Sequence, residues 1–203
     1  MAGHGAKKVA FIGMMAALGN ALFILSATVL NWGNIALDLS HVGTVIAAVY
    51  GGPLAGLTVG ALVGISGGLY FGSMTGLMAL YLPGFVFGKA LTGLTVGCLA
   101  RLFKISERRW KSWSAMAATL LGYIPECLFT VVFFLVLIPL FAPPELAGFL
   151  VTLLAPVLAK AWVEMTLIGF YMAALVGNEG FTQIIARLWP SPFVTSAVRS
   201  SSH

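Results

Sequence analysis

Four side chains that carry charge at neutral pH sit inside stretches otherwise made of apolar residues: Lys89, Glu126, Lys160 and Glu164. At the centre of a membrane-spanning helix each would cost about 2.5–3.5 kcal/mol, so such groups face inward and find partners. Two of each sign permit a neutral cluster. Lys160 and Glu164 stand one helical turn apart on one face, in the order that is weaker for an intrahelical pair. Two readings are open. The charges neutralise one another structurally, or they line a polar pocket between the fourth, fifth and sixth apolar stretches that a ligand's own polar groups complete. Tyr123 and Tyr171 share the faces of Glu126 and of Lys160–Glu164 and can stack on a flat ligand or simply pack.

Other constellations fail on inspection. The run GISGG at 64–68 fits a nucleophile-elbow pattern, with Asp38 and His41 as candidate partners of Ser66. That serine lies within a glycine-rich packing stretch, and no later apolar stretch supplies a histidine as base. Gly88-Lys89 lacks the loop before it and the hydroxyl after it that a phosphate-binding loop needs. The histidines at 4, 41 and 203 are too scattered for a zinc site, and Cys98 and Cys127 both fall in apolar stretches. The expectation is a protein that is not an enzyme and holds no metal and no cofactor.

The elements that position these charges follow from composition. Of 203 residues, 60% are hydrophobic and 8% charged, with a mean hydropathy of +1.00, which excludes a soluble globular domain. The chain reads as a single all-α multi-pass membrane domain over 1–203, with a membrane core at 8–178, an interfacial helix at 179–189 and a tail at 190–203. Six spans are expected, at about 9–30, 42–50, 51–71, 77–103, 114–141 and 146–176. Four would also satisfy the charge pattern if 42–70 were a buried hairpin. The initial apolar run is kept as a span, since no small-residue cleavage site is evident. Of the eleven Lys and Arg, nine lie outside the apolar stretches: Lys7 and Lys8 before the first, Arg101, Lys104, Arg108, Arg109 and Lys111 between the fourth and fifth, Arg187 and Arg199 after the last. That placement puts both termini and the 4–5 loop on the cytoplasmic side. It also assigns the net charge of +5 to membrane lipids rather than nucleic acid.

Glycines recur at 52, 56, 60, 64 and 68. Four residues advance a helix by about one turn, so they form one strip. In water each would cost about 1 kcal/mol; in a bilayer the strip lets backbones approach closely. Pro53 suits the first turn of that helix. Gly13, Ala17 and Ala21 form a similar strip in the first span, beside Asn20. The polar segment 31–41, with Trp32, Asn34 and Asp38, is either a solvated loop or a cap over the outer face. Pro125 should loosen the turn before Glu126. Asn178 should cap a short amphipathic helix lying in the inner interface.

The runs ALGNA at 17–21, HVGTVIAAVYGGPLAGLTVGALVGISGGL at 41–69 and PGFVFGKALTGLTVGCLARLF at 83–103, in a six-span frame, resemble the substrate-binding S component of energy-coupling-factor (ECF) transporters, the prokaryotic vitamin importers. The resemblance covers roughly 8–178. It implies a subunit of the inner membrane that binds a vitamin or related small molecule with high affinity, under a lid formed largely by the loop after span 1. It further implies docking through small-residue faces onto a transmembrane coupling subunit carrying two ATPase subunits. On this chain the docking residues would be Ala17 and Ala21 in the first span and Gly56 and Gly60 in the third. Glu126, Lys160 and Glu164, with Lys89, would be the polar contacts to the substrate; Trp32, Asn34 and Asp38 would sit in the lid. A self-sufficient carrier that uses the same charges as an ion relay is the alternative.

Overall fold

With no water to satisfy backbone polar groups, an apolar chain of this kind is confined to helices, and the computed structural model is almost wholly helical. It describes residues 2–29, 31–32, 35–105 and 110–189. Asn34, Arg108, Arg109, Arg199 and the 190–203 tail lie outside the described residues. Helix α1 (Ala2–Val29) is followed by a minimal antiparallel ladder of β1 (Asn31–Trp32) and β2 (Ile35–Ala36), pairing Asn31 with Ala36 and Trp32 with Ile35. Then come α2 (His41–Ile46), extended by a π turn over Ala47–Gly51, α3 (Pro53–Thr75) and α4 (Met78–Leu102).

The later chain is broken where its prolines fall. Helix α5 (Lys111–Gly122) yields at Tyr123 to α6 (Ile124–Val132), because Pro125 has no N–H to give the preceding turn. A π turn at Phe133–Leu137 precedes α7 (Ile138–Phe141), which holds Pro139. Helix α8 (Pro144–Thr152) gives way at Leu153 to α9 (Leu154–Gly177), near Pro156. Helix α10 (Glu179–Leu188) starts as expected at Asn178, whose side chain accepts from the N–H of Phe181 at 3.0 Å.

Among the described residues, five stretches are long and apolar enough to cross a membrane: Gly5–Val29, Pro53–Thr75, Met78–Leu102, Lys111–Phe141 and Pro144–Gly177. The expected second span is instead a shorter apolar helix, His41–Gly51, buried along nearly all its length. It ends at Gly52, whose φ of +87° is open to glycine and strained for other residues. A Cβ there would also run into the Arg101 guanidinium.

The glycine strip packs as its spacing foretells, but against this chain's own α4. A Cβ at Gly56 would land on the carbonyl of Gly93, one at Gly60 on the carbonyl of Lys89, and one at Gly97 on Pro53. Gly56 and Gly60, expected at a docking face, are buried here against α4. Ala17 and Ala21 are exposed on α1, and open space surrounds Gly13. The hydroxyl of Ser66 donates to Asn20 Oδ1 at 2.6 Å, tying α3 to α1. The second half of the core is α5 packed along α9, with Ala115, Ala118, Met165, Ile168 and Met172 buried between them. Beneath the short helix lies α10: Tyr50 Oη and Thr182 Oγ1 are 3.3 Å apart, and Trp189 lies against Phe11 at 5.2 Å and under the Lys8 ammonium at 5.6 Å.

Candidate functional site

Each charged group is delivered by a feature already visible in the fold. Lys89 comes from mid-α4, where its own carbonyl makes the backbone contact with Gly60. Glu126 stands in the first turn after the Pro125 break. Lys160 and Glu164 share α9. Asp38 comes from the segment 37–40, which meets α4 and α9 at mid-helix positions, Lys89 and Glu164.

These groups form one network. Lys89 Nζ, buried, donates to Asp38 Oδ2 at 2.8 Å and to Ser40 Oγ at 2.7 Å, and lies 3.4 Å from His41 Nε2. His41 Nε2 in turn lies 3.5 Å from Glu126 Oε1, while Thr92 Oγ1 donates to Glu126 Oε2. Lys160 Nζ lies 3.2 Å from Glu164 Oε1, and that oxygen also accepts the backbone N–H of Asp38. The segment is further tied to α1 by the N–H of Leu39 donating to Ser26 Oγ at 3.3 Å. It is stiffened by an Asx-type turn, Ser40 N–H to Asp38 Oδ1 at 2.9 Å. Burial alone would raise the Asp38 pKa. The adjacent Lys89 ammonium and the nearby His41 ring, with hydrogen bonds from Lys89 and Ser40, hold it well below the usual carboxylate range. Two buried polar atoms, His41 Nδ1 and Thr44 Oγ1, have no hydrogen-bond partner among the described residues.

The network closes one end of a cavity of about 420 Å³, within the range of small-molecule sites. Its walls are aromatic. Phe71 and Phe85 stack at 5.3 Å, Tyr81 stacks on Phe85 at 6.0 Å, and Phe133 meets Tyr81 edge-on at 5.3 Å. Gly84 lets the Phe133 ring close down on α4, since a Cβ there would overlap it. The pocket is broader than one between the fourth, fifth and sixth stretches, because α1, α3 and the 37–41 segment also line it.

Of the residues singled out from sequence, Asp38, Lys89, Tyr123, Glu126, Lys160 and Glu164 are brought together around this cavity. Tyr123 meets His41 at 6.2 Å and Trp162 at 5.4 Å, both edge-on. Tyr171 is not among them. It is half-exposed on the outside of α9, because the buried stripe of that helix runs through Met165, Ile168 and Met172 and leaves residue 171 on its flank. Trp32 lies in β1. Sequence reading missed Ser40, His41 and Thr92 as members of the network. The available signal was the polar pair Ser40-His41, beginning two positions after Asp38, and the spacing of Thr92 three residues beyond Lys89, which puts both on one helical face.

The chain matches, over residues 7–176, the family described as ECF transporter, substrate-specific component. Neither the curated proteins nor the solved structures give a match.

Proposed function

The chain belongs to the substrate-specific components of ECF transporters, and from that premise we propose that it is the high-affinity binding subunit of an ATP-driven importer for a vitamin or related small organic nutrient. The observation that carries this reading is the aromatic cavity closed at one end by the Asp38–Lys89–His41–Glu126 network. Apolar walls supply affinity by burial and the few convergent polar groups supply orientation. The subunit would sit in the prokaryotic inner membrane with both termini cytoplasmic. Its six segments would include His41–Gly51 as a partial crossing. The segment 31–40 would act as lid, and the exposed Ala17 and Ala21 would meet the coupling subunit that carries the two ATPases. It would perform no chemistry on its cargo.

Mass spectrometry of protein purified without nucleotide tests the reading. A tightly retained small molecule is expected from the wild type, and its loss from a Glu126→Ala, Lys160→Ala double variant. Uptake into liposomes holding this chain alone would overturn the proposal in favour of a self-sufficient carrier.

A further inference from the structure

Three carboxylates, Asp38, Glu126 and Glu164, border the cavity beside two ammonium groups, Lys89 and Lys160. Both ammonium groups are already engaged: Lys89 with Asp38 at 2.8 Å and Ser40 at 2.7 Å, and Lys160 with Glu164 at 3.2 Å. Glu126 has weaker company, His41 Nε2 at 3.5 Å and the hydroxyl of Thr92. His41 Nε2 also lies 3.4 Å from the Lys89 ammonium, and where it accepts from Lys89 it has no hydrogen to give Glu126. Glycine at position 88 leaves the α4 side of the carboxylate uncovered; a Cβ there would stand 3.6 Å from Glu126 Oε1. A carboxylate in a low-dielectric cavity gains most from a charge-assisted donor.

Resting on the reading of this cavity as the substrate site, we infer that the substrate carries a cationic, N–H-donating head, amidinium-like or a protonated amino-heterocycle, that seats on Glu126. Its flat body lies among the rings of Phe85, Phe129 and Phe133, whose faces also favour positive charge. A carboxylate or phosphate head would meet three carboxylates and could be paired only by drawing a lysine from its present partner.

Benzamidine, benzamide and benzoate share one shape and are cationic, neutral and anionic, so they separate charge from fit. Thermal-shift titrations of the purified, extensively dialysed full chain should show benzamidine binding about tenfold or more tightly than benzoate, the worth of a hydrogen bond to a charged group. The molecule retained from cells should bear a basic or amidine-like nitrogen. In Glu126→Gln, which keeps the side-chain shape, the preference for benzamidine should fall by about tenfold. An unchanged preference in that variant overturns the inference. So does benzoate binding as well as benzamidine, or a retained molecule with acidic groups and no such nitrogen; each leaves the substrate-binding reading standing. No retained molecule together with no response to any probe overturns both. Should Glu126→Gln fail to fold, the wild-type benzamidine-to-benzoate ratio decides alone.

Discussion

Helix α4 has two faces built on opposite rules. Toward α3, along its second half, the helices meet backbone to backbone, Gly93 and Gly97 against Gly56 and Pro53. Toward α6 and α9 it carries Lys89 and Thr92 into a polar network, under rings that leave an open volume. The first face gains from contact at the shortest range, where dispersion and backbone proximity are all that a lipid-like environment leaves to hold helices together. The second keeps space open and holds buried charge only by pairing it. One helix can serve both because the backbone contact, made in part by the Lys89 carbonyl, holds α4 where the Lys89 side chain reaches Asp38.

The contrast can be broken most severely at the closed face. Gly93→Leu should abolish folded protein, since its Cβ alone would overlap the Gly56 carbonyl; size-exclusion profiles and melting temperature would show it. Gly13→Leu, where open space surrounds the Cα, should melt like the wild type, and equal damage from both would end the distinction. A substantial but smaller effect is expected at the open face. Lys89→Met should destabilise by about 3 kcal/mol, because Asp38 is left without its ammonium. The pH dependence follows from the depressed Asp38 pKa. Stability from a carboxylate held low is present above its unfolded pKa, about 3.9, and is lost only as pH falls through the lower folded value. Protection of the 37–40 segment from proteolysis should therefore persist at pH 4 in the wild type and be gone there in Lys89→Met. The smallest effect belongs to Ser66→Ala, which removes one bond to Asn20. It should cost about 0.6 kcal/mol and leave ligand retention intact.

Much of the closed face was legible in the residues, because glycines every fourth position can mean little else in an apolar stretch. What they could not disclose is the partner. Gly56 and Gly60 suit an external subunit as well as α4, and only the register of the crossing decides between them. For the open face, the four intramembrane charges announced a site, yet Lys89 takes its counter-ion from Asp38, 51 positions away in a polar segment. Spacing carries no information about a contact made by a chain reversal. His41 drew notice only as a candidate partner of Ser66, and Thr92 is too ordinary a type to attract any until geometry sets both beside Glu126. Tyr171 has the periodicity of that face but stands on the rim of the buried stripe. The break at Pro125 was readable because a missing N–H acts locally.

The truncated helix His41–Gly51 has a cost of its own. Eleven residues rise about 16 Å, roughly half the hydrocarbon depth. Below Gly51 the sector would be hollow were it not floored by the C-terminal turn-back, where Trp189 and Phe11 abut that glycine and Thr182 meets Tyr50. Helix α10 thus serves as a foundation for the short helix, laid by residues that synthesis delivers after those that wall the cavity.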